Sequence, residues 1–288
     1  MSTQTLSAWL RCPNCFQRMS ARGPLTVACA NGHSFDVNKR GFVNMVAGSR
    51  RLTFDSAAML DARDSFLEAG WYSELRATLA ATAAALSPAL SPASVIDIGC
   101  GTGYYLRGVQ ELLPDSAFLA VDLSPSAVAR AVRSGGVGVG VSVGNVDGLV
   151  ANVWSPLPIK DQCADLVLNV FAPRNASEFH RILRPRGTLM VVIPQEEHLQ
   201  ELRAFGLALD VQPDKHRHLV EALSAHFALQ STTRLSTVMS LSPPAVAALI
   251  AMGPSSHHAQ ADTRADASPT HKGVTAAFEI LSFSRLGT

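Results

Sequence analysis

Apolar positions through the middle of the chain fall into short runs that alternate with helix-spaced segments. Strands are expected at 94–98, 117–122, Leu149–Val153, Ala164–Val170 and Gly187–Ile193. Helices are expected between them at about 103–113, Pro125–Arg133 and Asn175–Leu183, with Ser124 as N-cap and Pro125 at the first helical position. Strands alternating with helices in this way predict a doubly wound parallel sheet. Upstream, Met59, Leu60, Phe66 and Leu67 share one face of a helix over Ser56–Ala69, which Gly70 ends. An alanine-rich helix, Tyr72–Leu86, stops before Ser87-Pro88 and Ser91-Pro92. Downstream, Glu196–Leu209 and Lys215–Phe227 read as helices, and Thr232–Leu241 and Gly273–Leu286 as closing antiparallel strands. Gly135–Gly144 carries no assignable pattern. Pro254–Lys272, with His257, His258 and His271, reads as a polar, solvated loop.

Composition adds class. Of 288 residues, 47% are hydrophobic and 16% charged, which describes a globular protein with a sizeable core. No apolar run has the length of a signal peptide or a membrane span, and the five cysteines do not form a disulfide framework, so a cytoplasmic enzyme with no membrane partner is expected. Charge is unevenly spread: residues 1–51 carry +6 and the remainder −5. A basic N-terminal module on a mildly acidic body suggests a polyanionic partner met first by that module; an ordinary solvated basic surface is the plainer alternative. Arg11, Arg18, Lys39, Arg40, Arg50 and Arg51 are the candidate contacts to such a polyanion.

Within that module, Cys12-Pro-Asn-Cys15 and Cys29-Ala-Asn-Gly-His33 give C-x2-C-x13-C-x3-H. Two short knuckles supply four soft or borderline ligands, which is what tetrahedral zinc requires. Structural cysteines alone, or a redox C-x-x-C, leave the second pair and its histidine unexplained. With four protein ligands the site is closed, hence structural, and metal binding would supply much of the folding free energy of so small a unit. This organisation divides the chain into a zinc module (1–37), a basic linker with helical connection (38–93) and a catalytic domain (94–288).

The catalytic chemistry centres on Asp97-Ile-Gly99-Cys-Gly101-Thr102-Gly103, directly after the first strand. Glycines there let a ligand approach the main chain. Asp122, ending the next strand, is placed to accept both hydroxyls of a ribose. The spacing D-x-G-x-G-x-G differs from the G-x-G-x-x-G of nicotinamide enzymes. It resembles the S-adenosylmethionine (SAM) loop of class I methyltransferases, with Asn152 and Val153 towards the adenine edge. An unliganded glycine-rich turn would leave the matched acid without a role.

Across nearly its whole length the chain resembles the bacterial large-subunit rRNA (guanine-N1)-methyltransferases, and within them the actinomycete tylosin- and mycinamicin-resistance enzymes. The likeness rests on Cys12/Cys15/Cys29/His33, Gly-His-Ser-Phe-Asp (32–36), Gly41-Phe-Val-Asn44, Asp55-Ser-Ala-x-Met59 with Ala62-Arg63, and Phe66-Leu-x-Ala-Gly-x-Tyr72. It continues through the SAM loop, Asn169-Val-Phe-Ala-Pro-Arg-Asn175 and Arg181-Ile-Leu-Arg-Pro-x-Gly187. Pro194-Gln-x-x-His198-Leu and Ala251-Met-Gly-Pro-Ser-Ser256-His point to the resistance branch. The resemblance implies SAM and one structural zinc ion as cofactors. It also implies a guanine in hairpin 35 of 23S rRNA as target, cofactor contacts at Tyr72, Gly101, Thr102 and His198, and a homodimer. Thr102 and Arg186 depart from the commoner acid and glycine at those positions.

Guanine N1 carries a proton and is stacked or paired, so the base must be flipped and the proton removed. Residues after the fourth strand line the target pocket in this fold, which nominates Asn169, Phe171, Ala172 and Pro173, with Phe171 stacking on the base. Core packing at a strand end is the alternative for Phe171, and no proton acceptor is assigned. Two rival functions stay open at this stage: a SAM enzyme acting on a small molecule, and a non-catalytic zinc RNA-binding protein.

Overall fold

The computed structural model describes residues 3–46, 54–86, 93–134, 146–253 and 273–287. In chain order the elements are α1 (Thr3–Trp9), β1 (Met19–Ala21), β2 (Thr26–Cys29), β3 (Ser34–Asn38), β4 (Phe42–Asn44), α2 (Ala57–Glu68) and α3 (Ser73–Leu86). Then follow β5 (Ser94–Ile98), α4 (Tyr104–Leu112), β6 (Ala117–Asp122), α5 (Pro125–Ser134), β7 (Val146–Val150), β8 (Ala164–Val170), α6 (Ala176–Ile182) and β9 (Leu183–Pro194). The chain closes with α7 (Gln200–Ala204), α8 (Lys215–Leu223), β10 (Phe227–Met239), α9 (Pro243–Ala251) and β11 (Val274–Arg285).

The strands form one sheet in the order β1-β2-β3-β4-β7-β6-β5-β8-β9-β11-β10. From β4 to β9 all neighbours are parallel, and β11 and β10 close one side antiparallel. Residues alternate between two cores: Val95, Phe118 and Ala120 face one, with α2 to α5; Ile96, Ile98, Leu119 and Val121 face the other, with α1, α6 and α8. Burial on both faces explains why these strands are apolar almost throughout. Chain order reverses between β5 and β8, so a crevice opens at their carboxyl ends.

β4 lies in the segment read as a linker. It pairs antiparallel with β3 and parallel with β7, which makes the zinc-module strands an extension of the central sheet. The registers orient the module. Cys29 ends β2 and His33 precedes β3, so both knuckles sit at the carboxyl edge, on the side of the crevice. Lys39 and Arg40 occupy the β3–β4 turn, which points to the amino edge. Those two cations are therefore turned away from the crevice.

Several boundaries differ from the sequence expectation. The third parallel strand is Val146–Val150 rather than Leu149–Val153, because Asn152 caps a turn through a hydrogen bond from Trp154 N–H to its Oδ1 (3.1 Å). The expected helix Glu196–Leu209 shrinks to Gln200–Ala204 between left-handed residues Leu199 (φ 56°) and Gly206 (φ 69°). The next helix stops at Leu223, leaving Phe227 to begin β10, which starts earlier than Thr232. Helix α9 was not anticipated, although Ser242 accepts from Ala245 N–H and two prolines follow it, a recognisable start signal. Gly135–Gly144, Pro254–Lys272, Ser87-Pro88, Ser91-Pro92, Arg50 and Arg51 lie outside the described residues.

Helix α1 docks on the sheet through Asp147, a buried β7 carboxylate that accepts from Thr5 Oγ1 (3.0 Å) and Trp9 Nε1 (3.1 Å). Burial, only partly offset by these hydrogen bonds, pushes its pKa up to about 6. A carboxyl raised in the folded state contributes stability below its unfolded pKa and loses it as pH rises through the folded one. Between about pH 4 and 6 the loss amounts to at most about 3 kcal/mol. Asp147→Asn is therefore expected to melt higher relative to wild type at pH 7 than at pH 4.5. A pH-independent difference in Tm would refute the assignment.

Candidate active site

The crevice is a cleft of about 680 Å³. Its floor is the turn between β5 and α4, where the sequence compels close packing. Gly99 has φ +81° and a side chain there would overlap the Ala172 methyl group; Gly103 has φ +80°, and a Cβ would come within 2.8 Å of the Ala131 backbone. Both positions exclude other residues on two counts, conformation and space.

Asp122 closes the loop. Its Oδ2 accepts from Gly101 N–H (3.0 Å) and its Oδ1 from Ser124 N–H (2.8 Å), which pins the glycine turn to the end of β6. Burial nevertheless raises its pKa. Asp97 lies deeper: it is 2% exposed, and burial followed by the neighbouring Asp122 pushes its carboxyl up to about 8. Asp97 Oδ1, Thr102 Oγ1 and Asn169 Oδ1 are buried with no hydrogen-bond partner among the described residues. Two crowded carboxylates and orphaned oxygens beside an open glycine turn suit a cation rich in N–H and O–H donors. SAM, with its ammonium, sulfonium and ribose hydroxyls, meets that requirement; a pyrophosphate would not.

Tyr72 and His198 line the cleft and pack on Phe278, whose ring centroid lies 4.9 Å from Tyr72 and 4.7 Å from His198. Burial lowers the His198 pKa to about 3, with Arg203 and Lys215 adding to the effect. The ring is neutral at pH 7, and its tautomer follows from one contact. Ala277 N–H donates to Nδ1 (3.2 Å), so Nε2 carries the proton. Neither nitrogen is then available to take a proton from substrate. His198 is a hydrogen-bond donor and a wall.

The target-side residues separate into two roles. Phe171 holds a left-handed backbone (φ 52°) at the end of β8 and is 45% exposed, although its ring touches Tyr105 and Phe278. A bulky residue held in that region is strained, and such strain collects where function needs a fixed side chain. Ala172 and Pro173 line the cleft beside it. Asn169, by contrast, is fully buried and does not reach the opening. Its Nδ2 donates to Ile98 O (3.1 Å) and Pro173 O (3.0 Å), clamping the loop after β8 to the strand that leads into Gly99. It positions the site rather than touching the base.

Asn152 sits beyond the β7 end in the turn that presents Trp154, which is 69% exposed. That turn is tied to the α6 N-cap by Asn175 Nδ2 donating to Val153 O (2.9 Å). Three further cleft residues were missed from sequence. Arg63 pairs with Asp55 (2.5 Å), donates to Met252 O, and hangs over Gly101, 3.3 Å from where a methyl group would sit. Arg174 and Lys215 also line the cleft. Only position within the motifs Ala62-Arg63 and Asn169–Asn175 could have flagged Arg63 and Arg174; no local pattern marks Lys215.

In the zinc module, Cys12, Cys15, Cys29 and His33 bring their ligand atoms within 4.8 Å of one another. Cys15 Sγ is 3.7 Å from Cys29 Sγ, and His33 Nδ1 is 3.5 Å from both Cys12 Sγ and Cys29 Sγ. A tetrahedron with zinc–ligand bonds of about 2.0–2.3 Å has edges of roughly 3.5–3.7 Å, and these three edges match it. Of the candidate phosphate contacts, Arg18, Lys39 and Arg40 are exposed. Arg11 is not available: its guanidinium is 13% exposed and engaged by Asp161 (3.3 Å) and Glu178 (3.6 Å), stacked over Phe16 at 4.7 Å. Arg11 fastens the ribbon to the catalytic body because Asp161 and Glu178 also hold Arg181.

A glycine-turned cofactor cleft at the switch point, joined through one sheet to a Cys3His ribbon, defines a class I SAM-dependent methyltransferase with a structural zinc site. Residues 95–187 match the family described as "Methyltransferase domain" and residues 10–47 that described as "RlmA, N-terminal". The chain is 42% identical over 255 residues, 88% of each chain, to the Streptomyces fradiae 23S rRNA (guanine(748)-N(1))-methyltransferase. It is 37% identical to a Micromonospora griseorubida protein named as a candidate 23S rRNA (guanine-N1)-methyltransferase, over 86% of this chain and 87% of that one. This chain belongs to the 23S rRNA (guanine-N1)-methyltransferase family. A solved chain from the complex of the Haloferax volcanii Trm112 methyltransferase activator with a methyltransferase shares the fold (TM-score 0.52, 16% identity, 82% of this chain and 100% of that one).

Proposed function

We propose that this enzyme transfers the methyl group of SAM to N1 of a guanine in hairpin 35 of 23S rRNA, and so protects the ribosome from macrolides such as tylosin or mycinamicin. The observation that carries the reading is Phe171, an aromatic ring held half-exposed and strained at the mouth of the cofactor cleft. A flipped guanine stacked there gains about 1–3 kcal/mol, in part offsetting the cost of leaving its helix. The names of the Streptomyces and Micromonospora relatives support the target class.

Bound SAM supplies an electrophilic methyl group and needs only an in-line nucleophile. The chain's own residues provide the alignment. Asp122 would hold the ribose hydroxyls, Asp97 the ammonium side and Arg63 the carboxylate of bound SAM, each beside the glycine turn. Asn169 holds the loop that presents Phe171 at a fixed distance from that turn. His198, neutral and donating from Nε2, keeps the cofactor wall in place without competing for the N1 proton, which leaves to water or a cleft carboxylate. The RNA meets a surface at the carboxyl edge where Trp154, Phe16 and Arg18 are exposed.

Transfer of labelled methyl from SAM to a hairpin 35 transcript and to protein-free 23S rRNA tests the reading, with digestion and mass spectrometry to place the mark. Label on N1 of one guanine is expected. Label on a macrolide intermediate and none on RNA would sink the proposal.

A further inference from the structure

Arg174 and Lys215 line the same cleft from different elements: Arg174 from the loop after β8, three residues beyond Phe171, and Lys215 from the first turn of α8. Both are partly buried, and neither makes an ion pair with any described residue. Every other arginine that lines or flanks the cleft has an acceptor: Arg63 has Asp55 and Met252 O, and Arg217 beside Lys215 has Asp214 and Glu221. Burial lowers the pKa of Arg174. It also lowers that of Lys215, and the Arg174 guanidinium lowers it further, which places the two cations within each other's field. Asp210 lines the cleft as well, and Glu196, Glu197, Asp214 and Glu279 line a smaller cavity that Lys215 also borders, but none of them is ion-paired with either cation.

Two partly buried like charges that line one cleft without an ion-pair partner destabilise the protein alone. An anion between them reverses that cost. The methionine carboxylate of SAM is one anion in the cleft, but it belongs at the glycine turn, where Arg63 already stands 3.3 Å from the position of a Gly101 side chain. Arg174 lies instead three residues beyond Phe171, and Lys215 reaches the same cleft from α8, near enough to feel the Arg174 charge. We infer that Arg174 and Lys215 form a binding site for a phosphate flanking the flipped guanine, so that backbone and base of the target nucleotide are gripped together. This rests on the RNA reading above. A planar guanidinium and a flexible ammonium suit a phosphodiester, one fixing its orientation and the other its charge. Since base stacking is indifferent to sequence, a fixed phosphate would set which nucleotide reaches the methyl group.

The test uses the full enzyme with zinc and SAM, and a hairpin 35 transcript as probe. Arg174→Gln and Lys215→Gln are each expected to raise the KM for RNA by about tenfold. Each should also reduce the salt slope of RNA binding by about one unit. The SAM dissociation constant should stay unchanged, and Arg174→Lys and Lys215→Arg should retain most of the affinity. A transcript with a methylphosphonate on the 5′ or the 3′ side of the guanine completes the cycle. At one of those positions it should weaken binding to wild type about as much as removing the cations, and add little to the double variant. Weaker SAM binding with RNA affinity intact would show that the pair holds the methionine carboxylate and overturn the inference. Equal penalties of the methylphosphonate on wild type and double variant would overturn it too. Should the Gln variants not fold, the wild-type arm still decides, since no penalty at either phosphate rejects the site. Failure of the RNA reading itself is distinguishable, because wild type would then methylate no RNA at all, and this inference would fall with it.

Discussion

Cys12→Ala is expected to lose zinc and to lower the melting temperature by roughly 10 °C or more. Cys12 is buried beside His33, and its knuckle precedes β1 at the outer end of the sheet. Structural zinc contributes an apparent 10–16 kcal/mol to folding of isolated ribbons, of the order of the total stability of a domain. Here the ribbon is also continuous with the body. β3 holds β4, β4 holds β7, and Trp9 reaches Asp147 on that same strand. Even a net loss of about 4 kcal/mol moves Tm by about 8–16 °C in a protein of this size. Thermal unfolding with metal analysis reads the outcome, and chelator added to wild type should reproduce it. A zinc-free variant melting with wild type would show the cluster to be dispensable for the fold.

Asp122→Asn should separate SAM binding from stability. The carboxylate is buried and its pKa is raised by that burial, so the ionised form is a cost to the unliganded protein. Asparagine removes the charge but can accept from only one of the two loop N–H groups, Gly101 or Ser124; losing the other bond, worth about 0.5–1.5 kcal/mol, offsets the relief of burial, so the apo protein should melt within a few degrees of wild type. SAM binding should weaken about a hundredfold or more, since two charge-assisted hydrogen bonds to the ribose are lost at about 1.5–3 kcal/mol each. Calorimetric titration of SAM alongside Tm tests both halves. Unchanged SAM affinity would remove Asp122 from the cofactor site, and a large fall in Tm would show that its charge supports the fold.

The chemistry that could be read in advance lies in local patterns. The strand, glycine turn and acid of 94–122 depend on neighbours in sequence, and so does the zinc spacing of Cys12, Cys15, Cys29 and His33. Each is a case where backbone conformation or ligand geometry admits few residue types. The helix Ala57–Glu68 was equally legible, because its cap, its apolar face and Gly70 all agree. The loop-rich region after Pro194 was not. A left-handed residue at Leu199 breaks the helix that periodicity would have begun at Glu196, and leucine announces no such conformation.

Other features come from distant partners. β4 is three residues long, too short for any period, and becomes a strand only because β3 and β7 flank it. Asn169 was expected to touch the target base. In the fold its amide bridges Ile98 and Pro173, two carbonyls 75 positions apart whose proximity only the β5–β8 pairing creates. Arg11 and Lys39 look alike in a count of charge. The register buries one among Asp161 and Glu178 and turns the other to the amino edge. Thus the sequence by itself determined the class of enzyme, its cofactor, its metal ligands and its family, since these rest on short-range rules of conformation and coordination. The tertiary structure alone decided which cations face the cleft, which amide holds it together, and how the ribbon joins the body. Those depend on strand order and register, which are set by packing between segments that sequence keeps far apart.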